Sequence, residues 1–242
     1  MDKILFENRM REKDKSYSEM FAKALLALEY DPNFVYAQND ECPDIHLNKK
    51  GKSHGVEVTR LICSYFVTLK KYVKAWSHKK LTIEEIATQI PPELQNAIGV
   101  NASGKVVPMR SLGEKVGCEK MKKQIAKLFE SKLEKLQHYE QFDQNSLFMF
   151  ATELNPRLNS KTILSSLMNK SHIANYNIHY DNIFVFTYNS LILYEKQEGH
   201  YYTREIPISE ETIAICDKYA RYAKKQNMDY ILIQKEESEI EK

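Results

Sequence analysis

Glycine and proline are scarce in this chain: seven of each in 242 residues. That excludes a flexible low-complexity linker, and no internal repeat stands out. Cysteine is scarce too. Cys42, Cys63, Cys118 and Cys216 are widely spread and form no C-x-x-C pair, so a secreted disulfide scaffold is excluded and small buried hydrophobes are expected. A zinc site can be drawn from Cys42, His46, His54 and Cys63, but their spacing matches no standard ligand pattern. No run of about 18 apolar residues occurs, so no membrane span is expected. The opening MDKILFENRMREKDK has no apolar h-region, so a cytoplasmic location is expected. Charge of one sign is also lacking: the formal net charge is +2, which permits nucleic-acid binding without demanding it. There is no G-x-x-x-x-G-K-[ST] loop, no G-x-G-x-x-G and no G-x-S-x-G elbow, which argues against nucleotide cofactors and an α/β-hydrolase.

What is present is an alternation of helical and extended patterns. Met20, Phe21, Ala24, Leu25 and Leu28 predict a helix over Tyr17–Glu29, with Ser16 as N-cap, Glu19 in a capping box and Asp31-Pro32 as the stop. Three extended runs follow, at 34–38, 43–47 and 55–61, the last two joined by the polar loop 48–53. Ile62, Phe66, Leu69, Val73 and Trp76 predict a helix. Residues 81–141 read as a helical insertion with one short helix over 83–90 and a long one over 114–141. Further strands are expected at 146–152, 183–188, 191–194 and 230–233, and helices at 160–168 and from a Ser209 cap to about residue 225. Such interleaving indicates a single layered α/β domain over 1–242, a mixed sheet flanked by helices.

Residues 43–60, PDIHLNKKGKSHGVEVTR, carry the chemistry. Asp44 opens one strand. On the next, Val56 and Val58 share one face while Glu57 and Thr59 share the other. Magnesium takes oxygen ligands, usually one or two carboxylates plus waters and substrate phosphate. Two acids on adjacent strands could hold that ion against a scissile phosphate, with a lysine nearby to orient water or stabilise charge. The plain structural alternative is that Asp44 is a turn residue at a strand start and Glu57 a solvated strand position.

The stretch CPDIHL, a hairpin, then GVEVTRL resembles the core of the PD-(D/E)XK, or restriction-endonuclease-like, nuclease superfamily. The resemblance covers roughly residues 16–76. Pro43-Asp44 matches the first half of the motif and Glu57 its second acid, 13 positions on (57 − 44). It implies a restriction-endonuclease-like sheet and hydrolysis of nucleic-acid phosphodiesters, with DNA ahead of RNA. Mg²⁺ or Mn²⁺ would be held by Asp44, Glu57, the Val58 carbonyl and an acid from the preceding helix, Glu19, with Glu29 as the alternative. The motif lysine falls on Thr59, whose hydroxyl can bond water or phosphate but supplies no cation. Lys52 and Lys70 are unranked replacements, and Arg60 points to the opposite face. The missing lysine keeps open a non-catalytic nucleic-acid- or protein-binding module on the same fold, as in a phage-defence or mobile-element system.

Other features weigh less. Thr82–Ala87 resembles the start of a helix-turn-helix, but Pro91-Pro92 suits that turn badly. His46 shares the strand face of Asp44. The tyrosines at 176, 180, 188, 194, 201 and 202 could stack on bases, but packing in a sheet explains them more simply. Ile125, Leu128, Leu133 and Leu136 give the long helix an apolar stripe, to pack within the domain or against a second copy as a homodimer.

Overall fold

The structure, a computed structural model, describes residues 15–39, 43–61, 64–76, 82–89, 91–92, 98–103, 105–108, 110–138, 142–151, 159–168 and 179–222. The expected strand at 230–233 lies outside them. The chain divides into two compact units. The first comprises Met1–Arg60, Lys132–Thr152 and Tyr176–Lys242; the second comprises Leu61–Ser131 and Glu153–Asn175. The expected insertion at 81–141 therefore falls mainly in a larger second unit that opens at Leu61.

The first unit is α/β and is built on a mixed seven-stranded sheet. Helix α1 is Lys15–Glu29, and a 3-10 turn at Pro32–Tyr36 follows. The strands are β1 (Gln38–Asn39), β2 (Ile45–Lys49), β3 (Lys52–Arg60), β6 (Gln144–Phe150), β7 (Asn182–Phe186), β8 (Ser190–Gln197) and β9 (His200–Pro207). Helix α6 is Glu210–Tyr222. Strands lie in the order β1-β2-β3-β6-β7-β8-β9; β3, β6 and β7 are parallel, and the other pairs antiparallel.

Period-two alternation gives this sheet two apolar faces. On one, Val56, Phe148, Phe184 and Phe186 pack with Phe21 and Leu25 of α1 and Ile213, Cys216 and Tyr219 of α6 in a single buried cluster. Phe21 meets Phe150 edge-on and Phe186 at a tilt, at centroid distances of 5.8 and 5.5 Å. Across the two helices, Tyr17 donates to Asp217 at 2.7 Å, and Arg221 pairs with the same carboxylate. On the other face Leu147, Met149, Ile183 and Val185 are also fully buried. A continuous apolar run such as LFMF at 147–150 is what a strand covered on both sides requires.

Several expectations need correcting. Ser16 lies inside α1 rather than before it, since the helix already includes Lys15. The run 34–38 is a 3-10 turn through Tyr36, because the Asp31 carboxylate accepts from Asn33 N–H at 3.0 Å and Pro32 occupies the first helical turn. The polar loop 48–53 shrinks to Lys50-Gly51, both at positive φ (51° and 78°), the signature of a tight hairpin turn. Strand β9 was not anticipated. It follows the Glu198-Gly199 turn and is exposed along most of its length at the sheet edge.

Ser209 does cap α6, its Oγ accepting from Thr212 N–H at 3.0 Å. Tyr180, Tyr188 and Tyr194 are buried, and Tyr201 donates to the Tyr180 carbonyl at 2.7 Å, so these tyrosines serve packing; Tyr202 is exposed and Tyr176 lies outside the described residues.

The second unit contains α2 (Ser64–Trp76), α3 (Ile83–Gln89), a short hairpin of β4 (Ile98–Val100) and β5 (Val106–Pro108), most of α4 (Arg110–Leu136), and α5 (Ser160–Leu167). Helix α3 opens on a true capping box: Thr82 Oγ1 accepts from Glu85 N–H at 3.2 Å and Glu85 Oε2 from Thr82 N–H at 2.8 Å. Cys118, Met121, Ile125 and Phe129 bury one face of α4 at steps of three and four, and Leu133 and Leu136 continue that stripe into the first unit. Among the described residues no helix is long and apolar enough to cross a membrane.

One polar row interrupts the core facing α1. His54, Ser146 and Asn182 sit on the three parallel strands, with His54 Nε2 2.7 Å from Ser146 Oγ and Asn182 donating to Tyr30 Oη at 3.3 Å. Phe34 packs edge-on against the imidazole. Burial pushes His54 down to about 4, so the folded chain holds it neutral at pH 7. In the unfolded chain it titrates near the ordinary 6.5. Its contribution is therefore complete above about pH 6.5 and is lost as pH falls toward 4. Denaturant unfolding at pH 5 should give about 2 kcal/mol less stability than at pH 7 from this group alone. His54→Gln should flatten the pH dependence in that window; an unchanged slope would contradict the assignment.

Candidate active site

The proline at 43 determines how the acids meet. Extending the β2–β3 register one step past Ile45↔Val56 sets Asp44 opposite Glu57, on the sheet face away from α1. One step further, Pro43 faces Val58. The chain bends there, and Asp44 Oδ2 takes the Val58 N–H at 2.7 Å. Asp44 is 2% exposed and Glu57 7% exposed, so neither is a solvated strand position. Asp44 lies at the bend before β2, and one of its carboxylate oxygens satisfies a backbone donor of β3.

Glu57 has a partner that the sequence did not announce. Lys132, near the C-terminal end of α4, forms an ion pair with Glu57 Oε1. The lysine side chain is 13% exposed and the glutamate side chain 9%. The helix is held there by Tyr180, which donates to the Lys132 carbonyl at 3.1 Å. A pair so desolvated attracts more strongly than a surface pair, and each member depends on the other for compensation. Lys132 is seven residues on from Ile125, on the apolar side of α4. A lysine at such a position is the one retrospective signal for it in the sequence.

The remaining candidates are distributed unequally. Thr59 is half-buried on the same strand face as Glu57, two positions on; the Val58 carbonyl belongs to the residue whose N–H Asp44 binds. Lys52 is exposed at the hairpin end of β3, five positions from Glu57 (57 − 52), about 17 Å along an extended strand, and is not brought to the acids. Glu19 is buried on α1, the helix that packs on the opposite sheet face. Glu29 accepts from Thr212 Oγ1 at 3.1 Å, tying α1 to α6. Lys70 lies on α2 in the second unit, its side chain outside the described residues.

The zinc alternative fails on geometry: His46 packs on Phe142 on the Glu57 face, while His54 bonds Ser146 on the other, and Cys42 and Cys63 lie outside the described residues. Among the described residues no three His, Cys, Asp or Glu side chains gather to hold a metal ion. Two carboxylates and a backbone carbonyl are hard oxygen donors, and with waters that set suits magnesium rather than zinc.

Beside the acids, Pro43, Gly55, Glu57, Leu136, Phe142 and Tyr180 line a small pocket. Gly55 is required by close approach. A Cβ there would stand 2.7 Å from the Pro43 ring and 3.0 Å from Phe142. Gly55→Ala must push the Pro43-Asp44 bend away from β3, so a loss of about 1–3 kcal/mol is expected in chemical denaturation. A variant as stable as the parent would show that the bend is not fixed by this contact.

Compared with known proteins, the chain matches no family model, no curated protein and no solved structure.

Proposed function

We propose that the chain is a metal-dependent nuclease of the PD-(D/E)XK type, hydrolysing phosphodiester bonds of nucleic acid, with DNA the expected substrate. The observation that carries this reading is the pairing of two buried acids on adjacent strands, with a lysine on one of them. Parallel β3 and β6, with β2 antiparallel beside β3, are compatible with a restriction-endonuclease-like sheet.

Asp44, Glu57 and the Val58 carbonyl would hold Mg²⁺ or Mn²⁺. When bound, the ion would neutralise charge at the phosphate and lower the pKa of a bound water. Asp44 is pre-positioned, because its contact with Val58 N–H fixes the carboxylate before any ligand arrives. Lys132 takes the place of the motif lysine, which Thr59 replaces: it pairs with Glu57 and presents an ammonium to developing negative charge. The Thr59 hydroxyl is placed on the same face to bond water or a phosphate oxygen.

Mass action supplies a test that needs no substrate. A divalent ion at ten times its dissociation constant stabilises the folded chain by about 1.4 kcal/mol. For a chain of this length, that raises the melting temperature by about 3–5 °C. The shift should disappear in Glu57→Gln. The same shift with Ca²⁺, Mg²⁺ and Mn²⁺ in both proteins would place the ion elsewhere.

The Lys132–Glu57 pair also favours a second reading. A glutamate neutralised by lysine need not take a cation, and the chain would then be a non-catalytic binding module on this fold. Lack of both metal stabilisation and cleavage would select it.

A further inference from the structure

We propose that the second unit is a nucleic-acid grip that binds the phosphodiester backbone. The chain's small net charge conceals a segregation. The second unit carries 15 lysines and arginines against 7 acids (15 − 7 = +8). The first carries 20 against 26 (20 − 26 = −6), and the two sum to the chain's +2. Such a division reads as a polyanion-binding part joined to an acidic one.

The described side chains show where the positive charge is displayed. Lys120, Lys123 and Lys127 recur at steps of three and four on α4 and so share one helix face, with Lys123 and Lys127 exposed. Lys71 and Lys74 are exposed on α2, Lys105 beside the β4–β5 turn and Lys161 on α5. Some opposing acids are already engaged: Glu119 pairs with Lys122 at 2.8 Å and Glu85 is tied into the capping box. Each lysine that neutralises a phosphate releases counterions, so a footprint built from these cations is read in the salt dependence of binding. An anionic membrane would favour the same charge, but stable insertion also needs apolar anchors. The exposed large hydrophobics found among the described residues, Tyr36 and Tyr202, both belong to the first unit.

Binding is separable from hydrolysis, so the test is run in EDTA on the full chain. Fluorescence anisotropy with short labelled duplexes and single strands, of DNA and of RNA, gives affinity against salt. The triple variant Lys120→Gln, Lys123→Gln, Lys127→Gln should flatten the log–log salt slope by about 2.7 on duplex and about 2 on single strands. The set Lys71→Gln, Lys74→Gln, Lys161→Gln should act in the same direction. In the first unit, Lys50→Gln, Arg204→Gln, Lys218→Gln should leave the slope unchanged. Circular dichroism checks folding of each protein. Equal slopes for all three variants, no binding by the parent chain at low salt, or preference for phosphatidylserine vesicles over every nucleic acid would overturn the proposal. A chain that binds but never cleaves overturns only the hydrolase reading.

Discussion

Asp44→Asn is expected to fold like the parent chain and to cleave about 10³-fold more slowly, since a charged ligand contributes several kcal/mol to the transition state. The asparagine amide oxygen can still accept the Val58 N–H, so the bend at Pro43 survives while the negative charge is lost. Asp44→Ala removes the acceptor too. It should lose the same activity and, in addition, about 1–3 kcal/mol of stability, because a buried backbone donor is left unmet. The comparison separates the two roles of one side chain. If Asp44→Asn cleaved normally while Asp44→Ala merely melted earlier, the carboxylate would be a structural acceptor and nothing more. Glu57→Gln should match Asp44→Asn in activity.

Lys132→Met should have the largest combined effect. Leaving Glu57 buried without its cation costs about 3–5 kcal/mol. Cleavage should fall by about 10²–10³-fold, the range for removing one group that stabilises developing charge. The double variant Lys132→Met, Glu57→Gln should recover most of the stability, since the buried charge has gone, and none of the activity. Thr59→Lys in the Lys132→Met background asks whether the motif position can take the cation back. Recovered cleavage would show that Lys132 acts chemically. Full activity in a stabilised Lys132 variant would reduce it to a structural counter-ion.

The legible part of the fold was whatever local periodicity dictates. The Val56/Val58 alternation located β3 and assigned Glu57 and Thr59 to one face, while Ser209 announced α6. Strand β9 escaped because an edge strand exposed along most of its length has little apolar alternation to read. β4 and β5 span three residues each, too short for a period to register. The Asp31-Pro32 signal stops α1 and also begins a 3-10 turn, two roles that one dipeptide does not separate. At the site, the two acids could be paired because one hairpin joins them. Lys132 could not, since it reaches Glu57 from 75 positions along the chain (132 − 57) by a tertiary crossing that neither residue encodes locally. The Asp44–Val58 contact escaped for another reason: it arises from a ladder interrupted by proline, a backbone consequence rather than a motif.

The most direct measurement is anomalous scattering from crystals of the full chain grown with Mn²⁺. The account predicts a peak beside the carboxylates of Asp44 and Glu57 and absent from Asp44→Asn crystals. Manganese bound only elsewhere, with Glu57 still closed on Lys132, would contradict it.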